Sequence, residues 1–193
     1  MEAVVFWSRC MVDEDEPHWV ASSVPVGAGM PDFILATYRP EIGKLDEGSD
    51  DCARVLAYLR LVRSARPETL AERIGYPFKR LTGVLQRLVD AEAVIGRGNV
   101  LRLATKWRRI LPRTVAIEAK VSDWKKAVEQ ASRNTIFANY SYIALPRSLA
   151  EHVCQNALFD RLGLGLLGVE KGGDVRILRR APRTKTIAWY YYY

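Results

Sequence analysis

A glutamate and a lysine, Glu118 and Lys120, interrupt an otherwise apolar stretch, Thr114-Val-Ala-Ile-Glu-Ala-Lys-Val121. Read as a strand, this stretch sends alternate side chains to opposite faces, so the two charges project together. Removing charge from water is costly unless the groups are paired or bind a metal ion, so this pair marks a place for chemistry rather than packing. Other reactive residue types form no comparable pattern. Asp13-Glu-Asp-Glu16 is an unpatterned run of acids and reads as a solvated turn. His18 and His152 have no partner that would make either a catalytic base, and a structural role is expected of both. Cys10, Cys52 and Cys154 lie far apart with no C-x-x-C pair, which removes the support for a zinc site or a disulfide framework and leaves small core residues.

The elements that must position Glu118 and Lys120 follow from periodicity. Ser122 can cap a helix whose apolar face is Trp124, Ala127, Val128 and Ala131, with Gln130 near its edge. Tyr140-Ser-Tyr-Ile-Ala-Leu-Pro146 is the next strand. The order strand, helix, strand implies parallel strands joined by a right-handed crossover. Upstream, His18 to Ala36 reads as two short strands around a Gly-x-Gly break, the second running from Asp32 to Thr37 and entered through Met30-Pro31. Tyr38 to Asp50 carries Pro, two Gly and several acids and reads as a linker, with a boundary near residues 45 to 50.

From Asp51 the period is helical. Cys52, Val55, Leu56, Leu59 and Val62 share one face of an amphipathic helix of about 14 residues. Glu68 to Gly75 is a short helix stopped by glycine, and a third helix runs from about Phe78 to Asp90. In that third helix Phe78, Leu81, Val84, Leu85 and Leu88 are expected inside, with Lys79, Arg80, Thr82, Gly83, Gln86 and Arg87 outside. Val94 to Leu103 then reads as a hairpin turning at Gly and Asn. Over roughly residues 50 to 105, in the phrase ETLAERIGYPFKRLTGVLQRLVDAEAV, the chain resembles the winged helix-turn-helix DNA-binding family. The resemblance implies that Lys79, Arg80, Thr82, Gln86 and Arg87 meet a DNA groove and that Arg97 and Arg102 on the hairpin reach phosphate. A protein-docking module of the same shape stays open as the alternative.

Charge divides the chain in the same sense. Residues 1–50 hold 3 Lys/Arg against 10 Asp/Glu, and residues 51–193 hold 26 against 12, giving net charges of −7 and +14. A polyanionic partner therefore belongs to the later part of the chain. With 49% hydrophobic and 26% charged residues over 193 positions, a globular chain of one domain or two small ones is expected rather than a disordered or fibrous one. No apolar run approaches the roughly 18 residues that would cross a bilayer, and Met1 to Trp7 has no basic leader, so a cytoplasmic protein with no membrane partner is expected.

GMPDFIL at 29–35, AIEAK at 116–120 and DWKKAVEQASRNTIFANYSYIALP at 123–146 resemble the PD-(D/E)xK nuclease superfamily, over about 18–37 and 113–181. The resemblance implies an α/β fold: a restriction endonuclease-like mixed sheet with flanking helices, interrupted by the winged-helix insertion of three helices plus a β-hairpin. It also implies a helix near Ser148 to Phe159 and two closing strands in GLGLLGVEKGGDVRILRRA. Residues 1–47 and 110–193 would form the discontinuous nuclease-like domain, and residues 50–107 the winged helix. Asp32, Glu118, Lys120 and Gln130 would be catalytic, with Asp32, Glu118 and the backbone carbonyl of Ala119 as oxygen ligands of Mg2+ or Mn2+. The implied activity is metal-dependent endonucleolytic hydrolysis of DNA phosphodiester bonds, with double-stranded DNA as partner and a homodimer as working form.

This sequence departs from the family where relatives carry a glutamate on the strand before the PD element: Ser22 and Ser23 stand there. Fewer anionic ligands would weaken the metal site or limit it to one ion. The alternative is a catalytically inactive nuclease-fold transcriptional regulator that binds DNA. In the amino-terminal segment Glu2 is the one acid before Asp13, and whether it reaches the site is open from sequence. The ending Trp189-Tyr-Tyr-Tyr-Tyr193 is given no function.

Overall fold

Four stretches in the sequence are apolar at nearly every position, as strands covered on both faces must be. These are Phe33–Thr37, Arg113–Ala119, Tyr140–Pro146 and Leu164–Val169, and all four are strands buried through their middles in the computed structural model of the protein. The structure describes residues 12, 15–26, 29–45 and 50–187. Glu2, Cys10, Asp13, Glu14, the Gly27-Ala28 half of the glycine break and Trp189 to Tyr193 lie outside the described residues, as does most of the expected boundary at 45–50.

In chain order the elements are β1 (His18–Ser22), β2 (Phe33–Thr37), a 3-10 turn at Pro40–Lys44, α1 (Asp50–Val62), β3 (Ser64–Ala65), α2 (Pro67–Ile74), α3 (Phe78–Asp90), β4 (Val94–Arg97), β5 (Val100–Leu103), a 3-10 turn at Thr105–Arg109, β6 (Arg113–Ala119), α4 (Trp124–Asn134), β7 (Tyr140–Pro146), α5 (Arg147–Val153), α6 (Leu158–Leu162), β8 (Leu164–Val169) and β9 (Val175–Arg179). They divide into two compact units, one of described residues up to Tyr38 together with Arg113–Ile187, the other Arg39–Pro112. No helix among the described residues is long and apolar enough to cross a membrane.

The first unit is a mixed α/β structure around a six-stranded sheet, in the order β1-β2-β6-β7-β8-β9. β6, β7 and β8 are parallel neighbours, and the remaining pairings are antiparallel. The parallel pairing of β6 with β7 across α4 is the arrangement expected from strand, helix, strand. Odd and even residues separate across the sheet as the pleat requires. Phe33, Leu35, Val115 and Ile117 pack on one face with Tyr142 and Leu167, and Ile34 and Ala116 pack on the other with Phe137 and Ala138. Gly165 lies opposite Tyr142 in the β7–β8 register, where a Cβ would stand 2.3 Å from the tyrosine ring.

The helix expected over Ser148 to Phe159 is two helices, α5 and α6. Asn156 accepts the amide of Leu158 through its side chain at 3.0 Å and so restarts the helix there. The cap of α4 is Asp123, whose carboxylate accepts from the Lys126 amide at 3.1 Å, while Ser122 contributes its carbonyl to the Trp124 amide. The carboxylate thus takes the capping place expected of Ser122.

The second unit joins α1, α2 and α3 to a three-stranded sheet ordered β3-β5-β4. Its core is one cluster including Val55, Leu56, Leu59, Leu70, Leu81, Val84, Leu88 and Trp107. The tract read as a linker contributes to it, since Ile42 and Leu45 in and after the first 3-10 turn pack on that core. α1 buries Cys52, Val55, Leu56 and Leu59 as its period requires, whereas Val62 in the last turn is 37% exposed. Phe78, expected inside, is 55% exposed because it opens α3, before the helix has a turn beneath it to pack against the core.

Candidate active site and nucleic-acid surface

β2 and β6 pair antiparallel with Phe33 opposite Ile117. One more step of that register sets Asp32 opposite Glu118, so two carboxylates remote in sequence become cross-strand neighbours. Glu118 follows Ala116 by two residues and shares its face. Asn134, at the end of α4, meets it there: its amide donates to Glu118 Oε1 at 2.8 Å, and Glu118 and Asn134 are each 1% exposed.

Lys120 lies just beyond the strand, its backbone amide donating to the Ala144 carbonyl at 3.0 Å. Its Nζ stands 3.0 Å from Asp32 Oδ2 and 3.8 Å from Glu118 Oε2. The same Asp32 oxygen accepts the Ala119 amide at 2.8 Å, which anchors the aspartate to the start of the E-x-K turn. The structure therefore brings Asp32, Glu118 and Lys120 together in the first unit.

Burial pushes the Glu118 carboxyl above the ordinary glutamate value of 4.5, and the negative charge of Asp32 adds to the rise. The Asn134 hydrogen bond, Lys120 and Arg133 oppose it. Glu118 Oε2 is buried with no hydrogen-bond partner. A buried carboxylate oxygen without a hydrogen bond, beside a second carboxylate, suits a hard cation that takes oxygen ligands and keeps several waters. Asp32 and Glu118 are the two carboxylates that would hold it. Among the described residues no group of three or more His, Cys, Asp or Glu side chains is so placed, which leaves this two-carboxylate arrangement.

Gln130 does not join the cluster through a hydrogen bond: its Oε1 is buried without a partner. The amide that reaches Glu118 belongs to Asn134, four residues later on the same helix face. Asn134 was missed in the sequence. The signal was a polar residue continuing the inward period of Ala127 and Ala131. Ser22 ends β1 and is exposed, and the Ser23 amide donates to the Asp32 carbonyl at 3.2 Å. Ser23 therefore lies beside Asp32 and Ser22 opposite Phe33, and neither brings a carboxylate.

In the second unit the seven candidate DNA-contacting residues are all exposed, but they are not equally available. Arg80 is held by Asp51 in a two-pronged contact, Nε to Oδ2 at 2.9 Å and Nη2 to Oδ1 at 2.8 Å, and its guanidinium stacks 4.5 Å from the centre of the Tyr76 ring. Tyr76 donates to Asp51 at 2.7 Å. The Arg80 hydrogen bond holds the Asp51 carboxyl below its ordinary value, and burial together with Asp51 pushes Tyr76 up to about 12. Thr82 donates back to the Phe78 carbonyl, and the Gln86 amide donates to Asp90. The side chains of Lys79, Arg87, Arg97 and Arg102 make no hydrogen bond or ion pair among the described residues. Lys79, Arg80 and Arg87 line one shallow groove along α3 with Asp51 at its edge. Comparison of the chain with protein-family models, with curated proteins and with solved structures finds no match.

Proposed function

We propose that the protein is a metal-dependent DNA endonuclease of the PD-(D/E)xK type in which residues 50–107, a winged helix, grip duplex DNA. The observation that carries this reading is the convergence of Asp32, Glu118 and Lys120, with one buried carboxylate oxygen left without a hydrogen bond. In this reading Asp32, Glu118 and the Ala119 carbonyl hold Mg2+ or Mn2+, which when bound supplies Lewis-acid activation of a water and of the scissile phosphate. Asn134 fixes the rotamer of Glu118 from behind, so the carboxylate is presented in one orientation. Lys120, poised between the carboxylates, holds the attacking water by hydrogen bond and offsets negative charge that grows on the phosphoryl oxygens. Gln130, one helical turn from Asn134, is the remaining amide able to position a polar group on that face. Lys79, Arg87, Arg97 and Arg102 supply phosphate contacts, and the protein works as a homodimer on a two-fold substrate.

A second reading, a DNA-binding regulator that keeps the fold without the chemistry, is favoured by Ser22 and Ser23 beside Asp32, where a further acid would strengthen the site. One experiment separates the two. The protein and its Lys120→Ala variant are incubated with supercoiled and linear duplex DNA in Mg2+, Mn2+ and EDTA. Metal-dependent cutting that the variant lacks is expected. DNA binding without cutting in any metal would discard the endonuclease in favour of the regulator.

A further inference from the structure

The carboxyl ends of parallel strands are where open α/β sheets bind ligands, because the strands leave a crevice as their connections diverge. Here Ala119, Pro146 and Val169 mark those ends on β6, β7 and β8. They border a cleft of about 520 Å3 that also includes Asp32 and Lys120. Beyond the charged corner its walls are apolar. Val121 is 84% exposed at the mouth, with Pro146 and Val169 lining the cleft as well.

A paired strand laid across Asp32 and Lys120 presents sugar and phosphate and keeps its bases stacked inside the duplex. Such a substrate has no use for an apolar wall. An unstacked base does, since its face is apolar whatever its identity. The polar rim completes the picture. Arg147 engages both Glu170 and Glu151, so Glu170 is tied back by an arginine. Lys171, the next residue, lines the same cleft and forms no ion pair among the described residues.

We propose that this cleft takes an unpaired nucleotide adjoining the phosphate handled at Asp32, Glu118 and Lys120, its base lying against Val121, Pro146 and Val169 and its flanking phosphate met by Lys171. The preferred substrate is then DNA containing unpaired nucleotides rather than a fully paired duplex. This rests on the endonuclease reading and narrows it.

The test compares a fluorescent oligothymidylate with a blunt duplex of equal length, by anisotropy in EDTA, where no cutting intervenes, and by cutting in Mn2+. The wild type should favour unpaired over paired DNA. Val121→Ser should lower that preference by roughly tenfold, the share that one or two apolar carbons covered by a base supply, and Val121→Trp should raise it by offering an aromatic platform. Lys171→Gln should lower the salt slope on oligothymidylate by about one contact. Equal affinity for the two DNAs, or a preference that neither Val121 variant moves, overturns the proposal even if both DNAs are cut. A Val121-dependent preference with no cutting in any metal leaves the nucleotide cleft standing and removes the endonuclease.

Discussion

Replacing Asn134 by Ala removes the amide that donates to Glu118 Oε1 at 2.8 Å and leaves a carboxylate that is 1% exposed with neither oxygen hydrogen-bonded to that helix. Losing a hydrogen bond to a buried charged group costs about 1.5–3 kcal/mol. For a chain of this size that corresponds to a fall in melting temperature of roughly 3–12 °C near neutral pH. The loss depends on pH. Glu118 has its folded pKa above the ordinary value of 4.5, so it binds its proton more tightly when folded, and its ionisation destabilises the fold. That destabilisation begins as the pH passes 4.5 and is complete above the folded pKa. Below 4.5 the carboxyl is neutral in both states, and Asn134→Ala should cost only an ordinary neutral hydrogen bond, about 0.5–1.5 kcal/mol. Removing the amide raises the folded pKa further and widens the window. Calorimetry of wild type and variant across acid to neutral pH reads the difference, and a Glu118→Gln background should abolish its pH dependence. An equal penalty at every pH, or none near neutrality, would refute the assignment of Asn134 as the group that holds the ionised carboxylate.

Asp51→Ala should release Arg80 into the α3 groove, strengthening duplex binding several-fold and steepening its salt dependence by about one phosphate contact; an unchanged slope in a salt titration would show that the guanidinium never reaches DNA. The same change should slightly lower the stability of the second unit, since Asp51 is an acid in the first turn of α1. Gly165→Ala should destabilise by about 1–3 kcal/mol in urea unfolding, because its Cβ would stand 2.3 Å from the Tyr142 ring and 2.9 Å from the Ala181 backbone nitrogen; a neutral effect would mean that the ring can turn aside.

Much of the frame was legible because period and length carry it. The apolar run that Glu118 and Lys120 interrupt and the helical spacing of Trp124 to Ala131 place β6 and α4 from the sequence alone. The proximity of Asp32 to Glu118 was not readable from the residues themselves, because it depends on a register between strands separated by the whole second unit. Asn134 escaped because it lies one turn beyond Gln130 on the same helix face, and amides one turn apart are equivalent in sequence. The engagement of Arg80 escaped for a related reason: the α3 period separates outward from inward residues but is silent about a carboxylate arriving from α1. The break at Asn156 came from a side chain accepting the amide two residues on, a local competition that apolar spacing does not register.

The way the second unit is stitched into the first bears on how the chain reaches its fold. Thr37 pairs with Arg113 across β2 and β6, and Arg39 donates its amide to the Ile110 carbonyl at 2.8 Å, so the intervening 39–112 stretch leaves and returns at one point. Pairing β2 with β6 in an otherwise unfolded chain means closing a long loop, which is slow even though its entropy grows only logarithmically with length. Once the helices of the 39–112 unit have condensed, their joined ends act as the turn of a hairpin. Folding in that order predicts that destabilising the 39–112 core at Leu56 or Trp107 slows the folding of a sheet to which neither residue belongs.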